Sequence, residues 1–233
     1  MRTEFNQTSA KPTLHLLGGF LASGKTTSIL AVGAALKAQG VQVGLIANDQ
    51  GVAQVDASAF TQLGHPNTQI GGACFCCAYE GFYRSLLNML EQGVEVVLAE
   101  SVGSCTDLTA TVIAPLKRFA AQHVKVASYS VFVDGRLLLQ RLLGLPLPVT
   151  PEVLYIFDQQ LNEAGLLVVT HFDALMPSEK ERLRQGVQER YPQQPVHWQD
   201  SRDPGQVLAW WKMIQDSTFL PASPLADLSL IHI

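Results

Sequence analysis

The sequence predicts an α/β protein, a mostly parallel sheet held between two layers of helices as a three-layer sandwich. Three observations predict it. Apolar runs of strand length alternate with stretches of helical period along most of the chain, as successive βαβ crossovers require. Hydrophobic residues make up 47% of the 233 residues and charged ones 15%, a balance that suits strands covered on both faces. The first apolar run ends in a Gly-rich turn that opens a helical stretch, a junction found at the carboxyl edge of parallel sheets.

The elements follow in order. Residues 1–12 form a polar leader, and one domain is expected over 13–220. Leu14 to Leu17 reads as a short buried strand, and Lys25 to Ala38 as a helix closed by Gly40. Val41 to Ala47 is a second strand, β-branched and uncharged. A helix from Tyr79 to Leu90, a strand Val94 to Ala99, a helix near Ala110 to Ala121 and a strand Val124 to Val133 continue the alternation. A helix around Val153 to Asn162 leads into a strand Leu166 to Val169. Pro177 suits the first turn of a helix over Ser178 to Arg190, and Asp203 to Trp211 begins another. Residues 221–233 offer no recognisable element. The last six, Leu228 to Ile233, read as the in-frame translation of a library adapter, so they are expected to be non-native and the gene incomplete.

Bulk properties narrow the function. The net charge is −4 and the 16 Lys and Arg residues are scattered, which lacks the basic footprint that binding a nucleic-acid backbone needs. The leader has no apolar core of signal-peptide length, and no later run approaches the roughly 20 apolar residues of a membrane span. A cytoplasmic protein, with neither nucleic acid nor membrane as partner, is the expectation. Three of the four cysteines crowd together at Cys74, Cys76 and Cys77, where mutual disulfides would be strained. In a reducing compartment such a cluster points to metal or redox chemistry.

Gly19-Phe20-Leu21-Ala22-Ser23-Gly24-Lys25-Thr26 matches the phosphate-loop pattern, and it lies between a strand and a helix as that pattern requires. The glycines let successive N–H groups, those of Ala22, Ser23 and Gly24 among them, face one anion, and the helix amino terminus adds a favourable dipole. Lys25 is placed to reach the β and γ phosphates of a nucleotide, Thr26 to bind Mg²⁺ and Thr27 to contact an inner phosphate. Glu100 ends an apolar strand before Ser101-Val102-Gly103, where an acidic residue can order a magnesium-bound water. Asn48-Asp49-Gln50-Gly51 follows the second strand, with Asp49 a candidate for the metal shell and Gln50 for facing the attacking water; an ordinary turn explains these four nearly as well. These residues describe a P-loop nucleoside triphosphatase.

Thr170-His171-Phe172-Asp173 follows the late strand where many GTPases carry Asn-Lys-x-Asp. Only the Asp matches. Its carboxylate accepts two hydrogen bonds from the guanine N1 and N2 edge, which adenine does not offer, so Asp173 favours GTP. Cys74, Cys76 and Cys77 on one turn before a helix suit zinc, with depressed thiolate pKa values expected, and Cys105 is a candidate fourth ligand. The other reading is a P-loop kinase or phosphotransferase whose cysteines are structural.

Taken together, GFLASGKTT, IANDQG, GGACFCC, LAESVGSCTDL and HFD resemble the CobW-like family of P-loop GTPases, over about residues 13 to 175. The resemblance implies a metallochaperone that captures and releases zinc or cobalt under control of GTP binding and hydrolysis, and that serves a metal-dependent client protein. It implies Gly19, Gly24, Lys25, Thr26 and Thr27 as the phosphate and magnesium group, Cys74, Cys76 and Cys77 as the transported-metal site, and Glu100 as the γ-phosphate sensor. It also implies a smaller carboxyl-terminal domain, which is expected to be absent from this chain.

Overall fold

The computed structural model describes residues 11–20, 22–49, 60–71 and 74–221. Gln50 and the adapter-like end lie outside them, and Asp49 is described in its backbone only. Among the described residues seven strands, all parallel, form one sheet: β1 (Thr13–Gly19), β2 (Val43–Asp49), β3 (Asn67–Gly71), β4 (Val96–Glu100), β5 (Lys125–Asp134), β6 (Leu166–Thr170) and β7 (Val196–Trp198). Their order is β3-β2-β4-β1-β5-β6-β7, so β1 sits centrally between β4 and β5. The order reverses direction at β1, and in open parallel sheets the ligand crevice lies outside the carboxyl ends at such a switch.

The α-helices that lie wholly among the described residues are α1 (Lys25–Ala38), α2 (Tyr79–Glu91), α3 (Ala114–Phe119), α4 (Gly135–Leu142), α5 (Pro151–Asn162), α6 (Pro177–Arg190) and α7 (Pro204–Asp216). Strand periodicity separates two apolar layers. Leu14 and Leu16 of β1 pack with Phe82 and Leu86 of α2, Leu138 of α4, Phe157 of α5 and Leu183 of α6. Leu17 and Phe132 face the opposite way, onto Ile29 and Val32 of α1 and Val207 and Trp210 of α7. Trp210 is fully buried, meets Phe132 edge to face at 5.2 Å and donates its indole N–H to Ser130 Oγ at 3.2 Å. Three layers result, as the sequence predicts.

The differences have local causes. β3 is half polar and is not among the strands the sequence predicts, but it adds to β2 in register from Asn67 to Gly71. α4 escapes a periodicity reading because β5 runs directly into it, with Asp134 capping the helix by accepting from Arg136 N at 2.8 Å. β7 has only three residues, too few to carry an alternation. The helix expected near Ala110 to Ala121 begins as a π-helical turn, Thr109–Ile113, before α3. Pro115 lacks the N–H that a regular turn would use there, which suits the altered winding.

His15 tests this core. Its ring is buried in the layer of Trp211, 5.0 Å away, with Nδ1 2.9 Å from Ser128 Oγ and Nε2 3.2 Å from Thr13 Oγ1. Burial, with the Lys125 charge second, pushes its pKa down to about 3. The unfolded chain protonates this ring below about pH 6.5 while the native ring stays neutral, so unfolding takes up a proton in the window between those values. His15 should therefore cost the fold about 1.4 kcal/mol per pH unit as pH falls from about 6 to 4. Denaturant unfolding of the parent and of His15→Asn across that range should show a shallower decline in the variant; parallel declines would mean that His15 does not titrate this way.

Candidate functional site

The phosphate loop is shaped by positions where a side chain would collide. Gly19 ends β1 at φ +121°, where a Cβ would overlap the Phe132 carbonyl on β5. Gly24 caps α1 at φ +86°, with Ser201 against its Cα. Ala22 takes φ +58° between them, in the left-handed region that non-glycine residues seldom enter. The loop curls over the amino terminus of α1, where the unpaired N–H groups and the helix dipole favour an anion.

Lys25 is buried beneath this loop and donates to the carbonyls of Gly19 at 2.7 Å and Phe20 at 2.9 Å. Burial lowers its pKa, against the opposing pull of Glu100, whose Oε1 lies 4.0 Å away. Thr26 Oγ1 stands 3.3 Å from both carboxylate oxygens of Glu100. A hydroxyl beside a carboxylate is an all-oxygen donor set of the kind that hard divalent cations take. Ala47 is the register partner of Glu100, which carries the end of β2, and so Asp49, past the end of β4. Lys25, Thr26 and Glu100 border a cleft of ≈ 660 Å³ that Thr27, Gly103, His171 and Arg202 also line.

At the other end of the cleft, Thr170 departs from Asn for a structural reason. Its buried hydroxyl lies 2.9 Å from Ser23 O and 3.2 Å from Val133 O, tying the phosphate loop to the ends of β5 and β6. His171 follows at φ +51°, its Nδ1 3.2 Å from Asp134 Oδ2. Burial raises the Asp134 pKa, but the Arg136 bonds and the nearby His171 outweigh it and hold the carboxyl below its ordinary value. Asp173 sits on a single 3₁₀ turn and pairs with Arg202, Nη2 to Oδ2 at 3.0 Å. No motif in the sequence marks the segment Gln199 to Arg202. Buried Gln199 donates to Ser28 Oγ at 2.9 Å and its backbone N–H to Val169 O at 2.9 Å, which docks that segment on α1 and β6. Its position just before the helix that Asp203 caps is the available signal.

The thiols of Cys74, Cys76 and Cys77 lie within 4.8 Å of one another on the turn before α2. Cys74 Sγ is 2.7 Å from Cys76 Sγ, and buried Cys105 brings its Sγ to 3.9 Å from Cys76 Sγ. Depressed pKa values hold for only part of the cluster. Burial pushes the Cys74 thiol up, but hydrogen bonds from Cys76 and Cys77 outweigh it and bring the group down to about 7. Cys76 is raised to about 11 by burial and by its bond to Cys74, and Cys105 is raised by burial and by the neighbouring cysteines. One thiolate in a tight cluster penalises the next. Gln160 of α5, buried, donates to Gly103 O and Cys105 O, both at 2.9 Å, and pins the loop between the cleft and Cys105. Nothing in the sequence singles Gln160 out, because Gln is common on exposed helix faces.

No helix among the described residues is long and apolar enough to cross a membrane. No curated protein matches the chain. Among solved structures, HypB from Helicobacter pylori in complex with nickel shares the fold with a TM-score of 0.61 at 16% identity, over 88% of this chain and 86% of that one. The Zn(II)-bound YjiA GTPase from E. coli gives 0.54 at 17% identity, over 81% of this chain and 57% of its own. The signal recognition particle receptor FtsY from Elizabethkingia anophelis in complex with GDP gives 0.56 at 15% identity, over 87% and 61%. The profile of the CobW/HypB/UreG nucleotide-binding domain matches residues 13–197. A P-loop, an acidic strand end above it and a cysteine cluster beside it thus stand in one GTPase domain, and the chain belongs to the CobW/HypB/UreG family.

Proposed function

We propose that this GTPase is a cytoplasmic metallochaperone: it hydrolyses GTP with Mg²⁺, takes zinc as cargo at Cys74, Cys76 and Cys77, and ties capture or release to the nucleotide on behalf of a metal-dependent client protein. The observation that carries it is the shared loop. Gly103 lines the nucleotide cleft, while Cys105, two residues on, reaches the cysteine cluster. Zinc is favoured by soft sulfur donors in number, and a Zn(II)-bound relative in fold adds to that. In the cleft, Thr26 and Glu100, with Asp49, would hold Mg²⁺, which neutralises charge on the β and γ phosphates when bound. Lys25 offsets phosphate charge from below, and Gln50 is assigned to orienting the attacking water.

Three cysteines on the turn leave a tetrahedral ion one position short, which suits exchange better than storage. The test is zinc titration of the reduced protein with a non-hydrolysable GTP analogue and with GDP. Affinities that differ between the two states are the expected result, and equal affinities would refute the coupling. Binding also releases thiol protons, so affinity should rise with pH in both states.

A further inference from the structure

Arg202 has no assigned role, although it lines the nucleotide cleft beside His171 and Ser201. Its guanidinium is held by two carboxylates. Nη2 donates to Asp173 Oδ2 at 3.0 Å and to Asp200 Oδ2 at 3.1 Å, and Nε donates to Asp200 Oδ1 at 3.1 Å. The backbone N–H of Arg202 also bonds Asp200 Oδ1, at 2.9 Å. The stem rises from a segment docked on α1 and β6 through Gln199. The guanidinium is therefore positioned from both ends, and it adjoins the group expected to read the base.

The edge of guanine presents an acceptor, O6, next to two donors, N1–H and N2–H₂. Adenine reverses the first two, with a donor at N6 and an acceptor at N1. A guanidinium, which only donates, beside a carboxylate, which only accepts, complements the guanine edge and opposes the adenine edge. Asp173 alone leaves O6 unread, and Thr170, where many GTPases carry Asn, spends its hydroxyl on Ser23 and Val133.

We propose that Arg202 is a specificity-determining residue of the nucleotide site, donating to guanine O6 while Asp173 accepts from N1–H and N2–H₂. This rests on the reading of the cleft as a GTP site with Asp173 at the base. Asp200 keeps the guanidinium in place when Asp173 turns one oxygen to the base. The bond is charge-assisted, so its loss should cost roughly tenfold to a hundredfold in affinity.

Equilibrium binding, read by displacement of a fluorescent nucleotide, separates the roles without hydrolysis. The probes are GDP, ADP, IDP, which lacks the N2 amine, and 6-thio-GDP, which replaces O6 by a poor acceptor. The parent should prefer GDP to each of the others. Arg202→Ala should bring GDP and 6-thio-GDP to nearly equal affinity while keeping the preference for GDP over IDP, and Asp173→Ala should do the reverse. If Arg202→Ala keeps the GDP to 6-thio-GDP ratio, or weakens GDP and ADP by the same factor, the assignment is overturned and the GTP site stands. A parent that binds GDP and ADP alike would overturn the GTP reading and this proposal with it. Arg202 is largely exposed, and circular dichroism of Arg202→Ala should match the parent.

Discussion

Lys25→Ala is expected to lower the GTP hydrolysis rate by at least about 10²- to 10³-fold, the loss usual when a preorganised group facing developing charge is removed. The lysine is the cation fixed beneath the phosphate loop. Its ammonium lies under the loop, bonded to the carbonyls of Gly19 and Phe20, within 4.0 Å of Glu100. Such carbonyls and a carboxylate hold the charge in place, so little reorganisation is needed when phosphate arrives. Burial lowers the Lys25 pKa, and bound phosphate opposes that by favouring the ammonium. Alanine leaves the loop carbonyls without this donor, so the variant should be compared with the parent by thermal melting as well as by phosphate release. Full activity in a folded Lys25→Ala would remove the phosphate-loop assignment.

Much of this site is legible in the sequence, because phosphate binding is done by a contiguous segment whose shape depends on glycines at set spacing. The loop from Gly19 to Thr26 and the strand end at Glu100 can be found without a fold. What joins them to the rest cannot. Thr170, Gln160 and Gln199 act through bonds between segments 57 to 171 residues apart, and their residue types are common on any surface. Thr170 looks like a damaged guanine motif in the sequence, whereas in the fold it fastens the phosphate loop. The fold shows the same limit. β1, β4, β5 and β6 are apolar and legible, while β3 and β7 are strands because a neighbouring edge accepts them. The thiol pKa values depend on distances between sulfurs, so a uniform depression expected from the motif gives way to one lowered group and two raised ones.

Cys105→Ser is expected to remove most of the nucleotide dependence of zinc binding while leaving a zinc site. Cys105 Sγ lies 3.9 Å from Cys76 Sγ, close enough that a small shift of its loop would bring it onto an ion held by the cluster. Gln160 holds that loop by Gly103 O and Cys105 O, and α5, which carries Gln160, also lends Val153 and Ile156 to the cleft. A change at the γ-phosphate end therefore has a covalent route to the thiol through Gly103 and a packed route through α5. Couplings of this kind commonly amount to 5–150-fold in affinity, and they are reciprocal: zinc must change the affinity for the GTP analogue by the same factor that the analogue changes the affinity for zinc. In the parent, both factors should be measurable and equal. Cys105→Ser should bring both towards one, whereas Cys77→Ser, which removes an exposed ligand away from the loop, should weaken zinc in both nucleotide states and leave the ratio. A Cys105→Ser protein that keeps the full ratio would take Cys105 out of the coupling and leave the loop to act through the position of Cys76 instead.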